Sequence, residues 1–199
     1  MGIESNFTAL CQRHPKNSQG DAFFNDAEQF IKQYKSTINQ FILDELETLI
    51  TQENLERTDV LLLILQGIYP VIPQYEAAVG SALQKLINAL IDRGGEDPIR
   101  GWLLHQIVDI LFHIGALTEM LSESDQIIMA QTLGRIASIK YEVGYDAHHH
   151  YCAAYKSVTV LSGLEANVHV VEALTKFTDH FDDGVVEDAV KVLTWYTNR

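Results

Sequence analysis

Uninterrupted helical periodicity is the feature that most narrows what this chain can fold into. From Asp21 to Ile50, Phe23, Ala27, Phe30, Ile31, Tyr34, Ile38, Phe41, Ile42, Leu46 and Leu49 recur at three- and four-residue steps, with no proline or glycine between them. The spacing predicts one long helix, or two joined near Ser36 as an N-cap. A second helix is predicted to start at Thr58-Asp59. Its run Val60 to Leu65 is apolar on every side, which implies burial. It must stop near Tyr69, ahead of Pro70.

The remaining helices are delimited by their caps. One runs from about Gln74 to Arg93 and stops at Gly94-Gly95. Asp97-Pro98 starts the next, which carries Leu103, Ile107, Ile110 and Ile114 on one side. Ser122 or Ser124 starts another, with Gly144 as its stop. Asp146 starts the next, and Gly163 stops it. Two more are predicted over about 165–181 and 183–197. No segment alternates with period two. The fold class read from this is all-α: seven to nine helices as antiparallel hairpins, in a helical bundle or a short HEAT-like solenoid. Residues 1–20 read as an irregular N-terminal arm and 21–199 as a single domain.

Charge restricts the function classes. Fourteen Lys and Arg face 27 Asp and Glu, for a net charge of −13. Such a chain is a poor match to a phosphate backbone, so nucleic acid is not the expected partner. The apolar run from Val60 to Leu65 is far short of the roughly 20 residues of a membrane span. The N-terminal residues lack the basic and apolar regions of a signal peptide. Cys11 and Cys152 are too few and too far apart for a disulfide framework. A cytoplasmic location is therefore expected.

Four constellations merit a chemical reading. His105, Asp109 and His113 follow one another at four-residue steps, so a metal ion or a proton relay is conceivable on that helix. His148-His149-His150 point about 100° apart on a helix and cannot share one ion, but His148 and Cys152 at i,i+4 form half of a zinc site. Beside that reading stands burial near Tyr151, with His149 exposed. Asp179 to Gly184 resembles a calcium loop only in its acids and glycine. Phe181 and Val190 occupy ligand positions, and the reading fails. Asp182 and Asp183 more simply cap the last helix. Glu165, His169, Glu172 and Lys176 read as a solvated face.

Absences are equally informative. No Glu is followed by His three residues later, as a di-iron bundle needs, and there is no His-Glu-x-x-His, Cys-x-x-Cys, phosphate-binding Gly-rich loop or Gly-x-Ser-x-Gly. The function expected is therefore interaction with a basic protein partner, as an immunity protein or a secretion chaperone makes. Asp44, Glu45 and Glu47, and Asp179, Asp182, Asp183, Glu187 and Asp188, are the candidate contact residues. Two alternatives are a metal-dependent enzyme built on His105, Asp109 and His113, and a scaffold that oligomerises through the aromatic Phe23 to Ile50 region.

Overall fold

The structure, a computed structural model, describes residues 2–13, 21–68, 73–94, 99–115, 121–139 and 145–198. Among them all regular structure is helical. Ten helices occur, rather than seven to nine: α1 (Ile3–Arg13), α2 (Asp21–Gln33), α3 (Ile38–Thr51), α4 (Leu55–Gly67), α5 (Pro73–Arg93), α6 (Ile99–Gly115), α7 (Glu123–Ile136), α8 (Tyr145–Ser162), α9 (Val168–Phe177) and α10 (Asp183–Thr197). They cluster into two compact units, Met1–Ala82 and Leu83–Arg199, where the periodicity predicts one domain over 21–199. No described helix is long and apolar enough to cross a membrane.

Unit 1 holds the largest departure from the sequence reading. The expected arm is helical from Ile3 to Arg13 and buries Phe7 and Leu10 completely or nearly so. Phe7 packs against Phe30 and Phe41, with ring centroids 6.1 and 5.1 Å away. Its periodicity was too short to register, since two buried side chains in eleven residues make a weak stripe. The stretch from Asp21 to Ile50 is two helices. They part at residues 34–37, where the Thr37 hydroxyl donates back to the Tyr34 carbonyl and Thr37, not Ser36, holds the N-cap position of α3. α4 starts three residues before Thr58, because the Asn54 side chain accepts from the Arg57 backbone N–H. Thr58 instead donates its hydroxyl to the Asn54 carbonyl. As the sequence implies, Val60, Leu61, Leu62, Ile64 and Leu65 are all buried. Phe23, Phe30 and Phe41 are core residues as well, which accounts for most of the aromatic surface that suggested a scaffold.

In unit 2 the second half of α5 contributes Leu83, Leu86, Ile87 and Leu90 to the core. Gly94 ends that helix at φ +60°, the left-handed conformation that a side chain would disfavour. Asp97-Pro98 and Gly144 lie outside the described residues. Ser122 caps α7, Asn167 caps α9 and Asp182 caps α10, each accepting backbone N–H bonds. α6 packs on α8, α7 on α9 and α8 on α10, so helices pair with the next but one as well as with their neighbours. α6 and α8 form the most extensive of these pairs.

The α7–α9 contact is set by Gly134. A Cβ there would lie 3.0 Å from the Ala173 Cβ and 3.1 Å from its Cα. Helix propensity favours Ala over Gly by about 1 kcal/mol in a helix interior. The close approach reverses that sign: Gly134→Ala is expected to destabilise unit 2 by about 1–3 kcal/mol, through forced separation of two backbones. A urea titration of the variant against wild type measures it, and a gain in stability would contradict the packing.

Candidate functional site

Histidines gather along the α6–α8 seam. Trp102 and His105 come from α6, and His148 and His149 from α8. The indole of Trp102 meets His149 edge-on at 4.9 Å between centroids and His105 at 6.0 Å. His105 and His149 stack at 5.9 Å with 28° between their planes, and His148 lies 5.6 Å from His149. His149 and His150 are buried and His148 is exposed, which reverses the expected exposure of His149. The physical reason is register: His149 points at α6 and is covered by Trp102.

One turn along the seam, Lys156 of α8 donates its ammonium to the Asp109 carboxylate of α6. That pair claims the carboxylate on which a metal reading of this helix depends. His113 is exposed and turns its Nδ1 to the Asp109 backbone carbonyl, 2.7 Å away. Among the described residues no group of three or more His, Cys, Asp or Glu is placed to hold a metal ion. His105, Asp109 and His113 are thus spaced along one helix without converging on a point. His148 Nε2 and Cys152 Sγ do approach, at 3.6 Å, as i,i+4 neighbours.

The electrostatics of the seam favour neutral imidazole. Burial and then the Lys156 ammonium push His105 down to about 4, against the opposing pull of Asp109. Its Nδ1 is buried without a hydrogen-bond partner among the described residues. The consequence for stability has a definite sign. Between pH 6.5 and 4 the unfolded chain takes up a proton at this ring and the folded chain does not. The contribution is complete above about pH 6.5 and is lost as pH falls through that window. For a half-buried ring, solvent screening reduces it to about 1–2 kcal/mol. Burial also lowers His180, whose Nδ1 accepts from the Asp182 N–H at 3.2 Å.

The second feature is the acidic end of α9–α10. Asp179, Asp183 and Glu187 are exposed, and Asp182 and Asp188 are half-buried. Asp182 spends one carboxylate oxygen on the Gly184 and Val185 N–H groups. Lys191 is 2.9 Å from Glu187 and 3.3 Å from Asp188. Phe181 stands among these acids with 62% of its surface exposed, its ring 4.3 Å from His180. Val190 and Trp195 are exposed on the same helix, since α10 buries only Val185 and Ala189. Composition alone could not reveal this, because an exposed and a buried aromatic look alike in a periodic stretch.

The third feature corrects an expected contact residue. Asp44 and Glu47 are exposed, but Glu45 is 4% exposed and belongs to the interior of unit 1. Arg57 binds it through one edge of its guanidinium, Nε to Oε1 and Nη2 to Oε2, the latter at 2.8 Å. The same guanidinium reaches Glu4 at 2.7 Å and Thr8 at 3.1 Å, and lies 4.7 Å over the Phe7 ring. Glu45 follows the buried Phe41, Ile42 and Leu46 stripe of α3, so an outward position was not available to it. An open cavity of about 410 Å³ lies beside the network, lined by Glu4, Glu45, Glu53 and Arg57 together with Thr48, Leu49, Gln52 and Asn54. Nearby, burial pushes the Cys11 thiol up to about 12, which disfavours the thiolate.

Neither protein-family models, nor curated proteins, nor solved structures give a match to this chain.

Proposed function

We propose that the protein binds a basic protein partner through the acidic, aromatic edge of unit 2 that runs from Asp179 to Trp195. The observation that carries this reading is the exposure of Phe181 between Asp179 and Asp183. An exposed aromatic flanked along the chain by carboxylates suits a Lys- or Arg-rich surface. The ring face attracts a cation, the apolar body excludes water, and the acids speed encounter. The net charge of −13 acts in the same direction over longer range. The class of role proposed here is that of an immunity protein or a secretion chaperone that holds a basic partner.

The experiment is a fluorescence-anisotropy titration with a labelled oligo-arginine peptide at low and physiological salt. Binding is expected to weaken about tenfold in the double reversal Asp183→Lys with Glu187→Lys, and several-fold in Phe181→Ala. The control is Asp44→Lys with Glu47→Lys, which changes net charge equally on unit 1. An equal loss in that control would mean that charge acts without a site, and the reading would be wrong.

A further inference from the structure

The α6–α8 seam is unusual in what fills it. Two imidazoles, His105 and His149, and the indole of Trp102 form a ring cluster between the two most extensively paired helices of unit 2, and the exposed His148 adjoins it through His149. Aliphatic side chains would pack there at any pH. Imidazoles pack as apolar rings only while neutral, and acid converts an imidazole into a cation.

We propose that the α6–α8 seam is an acid-sensitive latch, closed by neutral imidazoles and parted when solvent protons charge them. The charges that act on His105 are, in order, Lys156 of α8, Asp109 of its own helix, and His149 and His148 of α8. Asp109 is the one carboxylate in that set, and it is already held by Lys156. Protonated rings at 5.6–5.9 Å from one another would therefore repel across the seam and along α8, with a fixed ammonium beside them. Asp182 and Asp188 of α10 act on Tyr151, and His169 of α9 faces Glu172, 3.5 Å away. Arg135 of α7 is engaged by Asn88 and Asp92 of α5. The depressed titration of His105 fits this arrangement, because the closed seam resists the first proton and an open one accepts it.

Hydrogen exchange read by mass spectrometry tests the latch on the full chain. Protection factors of α6 and α8 are expected to fall about tenfold or more between about pH 7 and pH 5, while those of α2 to α4 in unit 1 stay within about threefold. In a Trp195→Phe background, Trp102 emission should be quenched as pH falls toward 4, where the His105 ring beside it takes up its proton. His105→Phe and His149→Phe keep a ring in each position and remove its proton, so each should restore most of the protection at pH 5. If His105→Phe does not fold, His149→Phe answers the question. The proposal is overturned if α6 and α8 are equally protected at both pH values. It is also overturned if the phenylalanine variants lose protection as wild type does.

Discussion

Arg57→Ala is expected to destabilise unit 1 by about 3–5 kcal/mol, enough to unfold it under mild conditions. Among the described residues Arg57 is the partner of the Glu45 carboxylate, and that side chain is 5% exposed. Truncation leaves an uncompensated charge in the interior of α3. The cost comes from the stranded carboxylate more than from the lost attraction. The control is therefore Arg57→Met combined with Glu45→Leu, which removes both charges and should recover most of the loss. Glu4→Gln should cost less than about 1 kcal/mol, because Glu4 is largely exposed and its pair with Arg57 is screened. Urea unfolding, resolved by hydrogen exchange in α3 and α4, separates these outcomes. An Arg57→Ala variant within about 1 kcal/mol of wild type would show that Glu45 finds water or turns outward.

Phe7→Ala is the second large effect, at about 3–5 kcal/mol. The ring is fully buried, contacts Phe30 and Phe41, and is covered by the Arg57 guanidinium. α1 has eleven residues, too few to be helical alone in water, and holds on through Phe7 and Leu10. Removing one of two anchors should release the helix, and far-UV circular dichroism should lose roughly one helix worth of signal at a temperature where wild type is folded. Because Arg57 touches Phe7 and also binds Glu4 and Thr8 of α1, the two substitutions share their effect. A double-mutant cycle should give a coupling above about 0.5 kcal/mol, and strict additivity would contradict the geometry.

The sequence reading extended furthest where local chemistry decides the outcome. The buried run from Val60 to Leu65 follows from its having no polar face. The cap at Asp182, the stop at Gly94 and the start after Ser122 follow from side chains that satisfy nearby backbone groups. It failed where a distant residue supplies the reason. Glu45 looks like one of three surface acids until Arg57, twelve residues on, draws it inward. Asp109 looks like a ligand between two histidines until Lys156, forty-seven residues on, occupies it.

By itself, then, the sequence determined that the chain is helical, acidic and free of the common catalytic motifs, because periodicity, net charge and motif spacing are properties of neighbours along the chain. Only the tertiary structure decided which histidines meet. His149 reaches Trp102 because α6 packs on α8, with α7 between them in the chain, and nothing local specifies that pairing. It likewise decided that Phe181 is exposed and Phe177 is not, four residues apart on what reads as one face. Burial depends on which helix arrives opposite, and that is a long-range outcome of packing.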